Sequence, residues 1–153
     1  MAEPLTPVTI DASVGVALVV PLEHSERATD RVLSWVQRGV PIYVPVLWEY
    51  EVAAALHRAV RQGLLTPEWA AAALNEVLAI GIVRVPPEPA LHQEALRLAT
   101  LLGLECADDA HYLAVAARHG CQCWTSTPAL AEAARAAGLD WVHWIGDEEE
   151  VES

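Results

Sequence analysis

The chain has 153 residues, 54% of them hydrophobic and 20% charged, which supplies ample apolar surface to offset chain entropy and excludes a disordered or fibrous protein. Its length fits one domain, in which about 70% of the unfolded surface can leave water. The formal net charge of -12 argues against unspecific adhesion to nucleic acid or an anionic membrane, so any polyanion has to be met by a local patch.

From the N-terminus, Val8 to Asp11 reads as a strand ending in a carboxylate. Ser13 follows, then an apolar helix from Val14 to Val19 stopped by Pro21. That apolar run is far shorter than the roughly 20 residues of a membrane span, and no basic residue precedes it as in a signal peptide, so a soluble, cytoplasmic protein is expected. His24 to Arg38 reads as a helix closed by Gly39, and Ile42 to Val44 as the next strand. Pro45 is expected to open a helix reaching about Gln62, with Gly63 ending it. Thr66, Pro67 and Glu68 form a cap, first-turn proline and acid, which start an alanine-rich helix to about Ile80. Ile82 to Val85 is a third strand, followed by a turn at Pro86, Pro87 and Pro89. A helix then runs from about Ala90 to Leu102 and a further one from Asp108 to His119. A strand at Cys121 to Thr125, a helix at Pro128 to Ala137 and a last strand at Trp141 to Ile145 complete the pattern.

Alternating strands and helices predict one α/β domain over residues 1–146, with a mostly parallel five-stranded sheet covered on both faces. Residues 147–153, with Asp147, Glu148, Glu149, Glu150 and Glu152, are expected to be a solvated acidic tail. Three cysteines, Cys106, Cys121 and Cys123, are an odd number in a chain without a secretory signal and are expected to be reduced. Cys121 and Cys123 are read as buried strand residues, since no second pair of ligands accompanies them.

All nine basic residues are arginine. Without lysine there is no Walker phosphate loop, pyridoxal Schiff base or lysine-dependent phosphoryl transfer. GxGxxG, GxSxG and HExxH patterns are also missing. Chemistry would therefore rest on carboxylates. Sites in parallel sheets lie beyond the carboxyl ends of the strands. Asp11, the pair Asp108 and Asp109, and Thr125 to Thr127 all deliver oxygens to that edge. Such oxygens suit a hard divalent cation. Asp11 could equally cap the following helix. In the helix after Val46, Glu49 and Glu51 point about 200° apart. Glu49 lies in the stripe of Val52, Leu56 and Val60, Glu51 in that of Ala55 and Arg58, and periodicity does not choose between them. Asp108 and Asp109 pose the same choice, although Asp109 sits above the more apolar stripe of Tyr112, Leu113 and Ala116.

Six stretches in order carry a resemblance. They are Val8-Thr9-Ile10-Asp11-Ala12-Ser13, Val44 to Leu56 with Arg58, Gly63-Leu64-Leu65-Thr66, Ala95 to Ala99, Asp108 to Ala116, and Thr125-Ser126-Thr127-Pro128-Ala129-Leu130. From about residue 7 to 145 the chain resembles PIN domains, specifically single-domain toxins of the VapC type. The resemblance implies a three-layer PIN-like fold with strand order 3-2-1-4-5 and a ribonuclease using Mg²⁺ or Mn²⁺. It implies Asp11, Glu51 and Asp109 as the catalytic, metal-holding acids, RNA as substrate, a homodimer, and a cognate antitoxin protein as partner.

One departure from the family pattern is Thr127, which stands where a fourth Asp is common; its hydroxyl is a neutral, weaker ligand, and Asp108 is the residue that could compensate. Ser13, Thr125 and Thr127 are expected to hydrogen-bond ligands or waters, or else to make local caps and turns. Arg58 and Arg61, with Arg27 and Arg31 on the preceding helix, are candidates for contacting RNA, solvated helix faces being the alternative. Trp35, Trp48, Trp69, Trp124, Trp141 and Trp144 are read mainly as core or subunit packing, and His111 and His119 as surface or packing residues. Competing functions are a non-catalytic PIN module that binds RNA or a protein, and a phosphatase or DNA nuclease built on the same acids.

Overall fold

Strands and helices alternate along residues 5–147, the part of the chain that the computed structural model describes. The strands are β1 (Val8–Ile10), β2 (Ile42–Pro45), β3 (Val83–Val85), β4 (Gln122–Thr125) and β5 (Val142–Trp144). The helices are α1 (Ala12–Ala17), α2 (Ser25–Gln37), α3 (Leu47–Arg61), α4 (Pro67–Leu78), α5 (Pro89–Leu102), α6 (Asp108–Arg118) and α7 (Pro128–Ala136). The sheet has the order β3-β2-β1-β4-β5, and all four strand pairs are parallel. No helix among the described residues is long and apolar enough to cross a membrane. The acidic tail expected beyond Asp147 lies outside the described residues.

Strand pairing sorts side chains by face, because residues in register point the same way and alternate along each strand. Thr9 is in register with Tyr43 and with Cys123. Tyr43 meets His119 at the end of α6 edge-on, ring centroids 4.5 Å apart, so this row faces α6. The alternate row holds Ile10 and Trp124, and Trp124 packs against Trp35 of α2 at 5.8 Å. Helices therefore cover both faces, as expected of a parallel sheet. At the centre of the sheet both rows are buried: Thr9, Ile10, Val44, Cys123 and Trp124 have at most 1% exposure.

Several boundaries differ from the sequence expectation by one or two residues, and at three of them a residue changes its role. Asp11 is not strand but the N-cap of α1, its side chain accepting from the Val14 amide. Pro45 does not open α3; it closes β2 in register with Val85. Pro89 belongs to α5 rather than to the preceding turn, because a helix start leaves its first amides without partners and proline has none to lose. The cap at Thr66 forms as expected, its hydroxyl accepting from the Trp69 amide at 3.1 Å. Gly103 ends α5 in the left-handed region at φ 68°, where a side chain would clash with its own backbone.

An acidic site at the carboxyl edge of the sheet

Asp11 follows β1 immediately and is 3% exposed. Its carboxylate is held by three donors. The Ser13 hydroxyl donates to Oδ1 at 2.5 Å, the Val14 amide to Oδ1 at 3.2 Å, and the Thr125 hydroxyl to Oδ2 at 2.5 Å. Each hydroxyl is itself anchored by an amide: Ser126 donates to Ser13 at 2.8 Å and Thr127 donates to Thr125 at 3.0 Å. Both hydroxyl hydrogens are thus committed to Asp11, which makes Ser13 and Thr125 supports of that carboxylate and leaves neither poised as a nucleophile. The main chain is fixed as well, since the Trp48 indole donates to the Asp11 carbonyl at 3.1 Å.

Burial pushes the Asp11 carboxyl up to about 6 despite the bonds from Ser13, Thr125 and Val14, and the negative Asp109 adds to the rise. Desolvation of the charged form outweighs three hydrogen bonds here. Asp11 is thus a helix cap, one oxygen closing the helix start, while the group as a whole stays short of counter-charge.

Across from it, α3 separates its two acids. Glu49 hydrogen-bonds and ion-pairs with Arg84 of β3, which occupies it structurally. Glu51, on the other side of the helix, accepts from the Tyr112 hydroxyl. Burial raises its carboxyl, the Tyr112 bond lowers it, Asp108 and Asp109 raise it, and Arg58 lowers it. Asp109, at the second position of α6, keeps one side open to solvent. Desolvation of the rest and the adjacent Asp108 push its carboxyl upward. The rise of Tyr112 well above the ordinary phenol range reports the same neighbourhood. Burial is the largest cause, and Glu51, Asp11 and Asp109 all contribute.

Asp11, Glu51 and Asp109 therefore share one electrostatic environment around Tyr112, and Asp108 lies at its margin. Thr127 is exposed and, although it precedes α7, its side chain makes no cap bond. Arg58 and Arg61 are both exposed on α3, and Arg58 is close enough to act on Glu51. Among the described residues, no group of three or more His, Cys, Asp or Glu side chains is arranged to hold a metal ion. The donors are of the right kind for a hard cation, oxygens with mutual repulsion to relieve, but the side chains do not converge on one point.

Tyr112 is the site residue that sequence reasoning missed. Its place in the apolar stripe under Asp109 marked it as core, and it is fully buried; only the packing of α6 against β2, the strand that leads into α3, brings its hydroxyl to Glu51. Trp124 has a partner that its sequence neighbourhood does not show. No basic residue is near it in sequence, yet the Arg31 guanidinium lies 4.2 Å above its ring. Trp48 and Trp124 are core residues as expected, while Trp69 is 52% exposed. His119 has the packing role expected of it, its Nδ1 donating to the Val115 carbonyl at 2.8 Å. Cys121 and Cys123 are buried and Cys106 exposed, all three free thiols.

No protein-family model and no curated protein matches this chain. Among solved structures it is similar to PAE2754 from Pyrobaculum aerophilum, with 27% sequence identity over 92% of each chain and a TM-score of 0.61.

Proposed function

We propose that this chain is a PIN-type endoribonuclease that uses Mg²⁺ or Mn²⁺, acting as the toxin of a toxin–antitoxin pair. The observation that carries the reading is the buried Asp11 carboxylate. It sits at the carboxyl edge of a parallel sheet, lacks full charge compensation, and shares its surroundings with Glu51 and Asp109. Such a group is costly to keep ionised unless a cation relieves it.

Asp11, Glu51 and Asp109 would hold the ion, directly or through waters of its shell, since Mg²⁺ keeps several waters when few carboxylates reach it. The chemistry such an ion would supply is charge neutralisation at an RNA phosphodiester and a more acidic water. The chain's own groups do the remaining work. Ser13 and Thr125 fix both oxygens of Asp11, and Tyr112 fixes one oxygen of Glu51, so little reorganisation is needed as charge develops. Asp109, the acid of the three that is open to solvent, is placed to take the proton of an attacking water. Arg58, beyond Glu51, meets a phosphate of the incoming strand. The toxin reading adds a homodimer and an antitoxin as partners, and the exposed Tyr50, Leu64 and Trp69 offer large apolar side chains to a protein surface.

Thr127 supports a second reading, a module that binds RNA or protein without cutting, because a neutral, exposed hydroxyl stands where a fourth acid would strengthen the site. Cleavage of single-stranded and structured RNA in Mn²⁺ separates the two. The nuclease reading requires cleavage by wild type and its loss, by about 100-fold or more, in Asp109→Asn. RNA bound but uncut in Mn²⁺ supports the module, and cleavage that survives Asp109→Asn removes the assigned site.

A further inference from the structure

Away from the acids, a pair of imidazoles joins two helices. His92 and His111 occupy the fourth positions of α5 and α6. Their rings stand edge to face, with centroids 5.0 Å apart and planes at 68°, and His92 Nδ1 lies 2.8 Å from His111 Nε2. The other nitrogen of His111, Nδ1, is 2.8 Å from the Ala107 carbonyl. A carbonyl only accepts, so this Nδ1 carries a hydrogen, and in the neutral ring Nε2 keeps its lone pair. The hydrogen that joins the rings therefore belongs to His92 Nδ1. Two ring nitrogens share one hydrogen at a point that solvent reaches, His92 being exposed and His111 half-buried.

We infer that this pair is a binding site for a borderline divalent transition ion, Zn²⁺ foremost, which takes the place of the shared hydrogen. Imidazole nitrogen suits Zn²⁺, Cu²⁺ and Ni²⁺, whereas Mg²⁺ and Mn²⁺ prefer oxygen, so the pair and the acidic site select different ions. Two nitrogens bound to one tetrahedral Zn²⁺ lie about 3.3 Å apart. The rings thus need to part by roughly 0.5 Å from their 2.8 Å contact, a movement open to the exposed His92. Its ring hydrogen passes from Nδ1 to Nε2 through solvent, and the neutral pair releases no net proton. The bond from His111 to Ala107 is the outer contact that ligating histidines require; it fixes tautomer and ring direction before the ion arrives. Water fills the remaining positions, because no third His, Cys, Asp or Glu completes the group among the described residues. With two protein ligands the site is far weaker than a four-ligand structural zinc centre. A bound ion would tie the start of α5 to the start of α6, the turn that also carries Asp108 and Asp109.

The test is a calorimetric titration of Zn²⁺ into untagged protein carrying Cys106→Ser and Asp109→Asn, which remove the exposed thiol and one acid, with Mg²⁺ in large excess. Zn²⁺ binding should persist under Mg²⁺ and weaken by about tenfold or more when His92→Gln is added. With Cu²⁺ as probe, the resonance spectrum should show coupling to ring nitrogen that disappears in the same variant. His111→Gln should weaken binding too, but it also loses the Ala107 bond; the exposed His92 is therefore the deciding position. Unchanged Zn²⁺ affinity in His92→Gln, or displacement of Zn²⁺ by Mg²⁺, overturns the assignment. Neither result bears on whether the acidic site cuts RNA.

Discussion

Asp11 shows how one side chain carries opposing demands. Its folded carboxyl titrates at about 6 and that of the unfolded chain near 4. Between those values the folded protein holds a proton that the unfolded chain has released, so this group's contribution to stability falls as pH rises through the window and is level above it. About two units correspond to roughly 3 kcal/mol as an upper bound. In metal-free protein, Asp11→Asn should therefore raise the melting temperature at pH 7.5, with the gain shrinking towards pH 4. A gain that is the same at both pH values, or a loss at pH 7.5, would show that Asp11 is not held short of counter-charge. The position of Asp11 was legible in the sequence because a carboxylate after a buried strand is conspicuous. The choice between Glu49 and Glu51 was not, because both point towards protein; Arg84 on another strand claims one and Tyr112 meets the other.

At the level of elements, the short helix α1 is held by a close approach rather than by its own length. A Cβ on Gly15 would come within 2.6 Å of Cζ2 of Trp48 and 3.1 Å of Cγ2 of Val52, and Trp48 is fully buried. The same indole holds the Asp11 carbonyl, so α1, α3 and the site share one contact. Gly15→Ala should destabilise the protein by about 1–3 kcal/mol, as overpacking does, and should lower activity more than Thr66→Ala, a cap variant of similar cost. Denaturant midpoints together with RNA cleavage rates check this; equal activity in the two variants at equal stability would break the link between α1 packing and the site. Gly15 gave no signal in the sequence, where it reads as one small residue in an apolar run. The helix ends did give one, because capping and left-handed glycine are local chemistry.

For the whole molecule, the net charge of -12 means that RNA approaches against the general field and is retained by few cations. Arg58, whose charge reaches Glu51, should contribute more than Arg61, one turn further along α3. Arg58→Ala should weaken RNA binding several-fold regardless of sequence and reduce the slope of log affinity against log salt by about 1. An unchanged slope would remove Arg58 from the RNA path.

Element types, their order and the parallel sheet followed from the sequence, because strand runs, helix periods, caps and glycine stops are properties of neighbouring residues. Strand order is different: it came with the family resemblance, since pairing between strands 1 and 4 joins residues more than a hundred positions apart. The acids could be named as oxygen donors from their place near strand ends and helix starts. Which acid turns inward, how Thr125 and Ser13 lock Asp11, and that Tyr112 and Arg31 meet Glu51 and Trp124 were decided by packing alone. Long-range contacts depend on how whole faces fit together, and no local stretch of sequence encodes that fit.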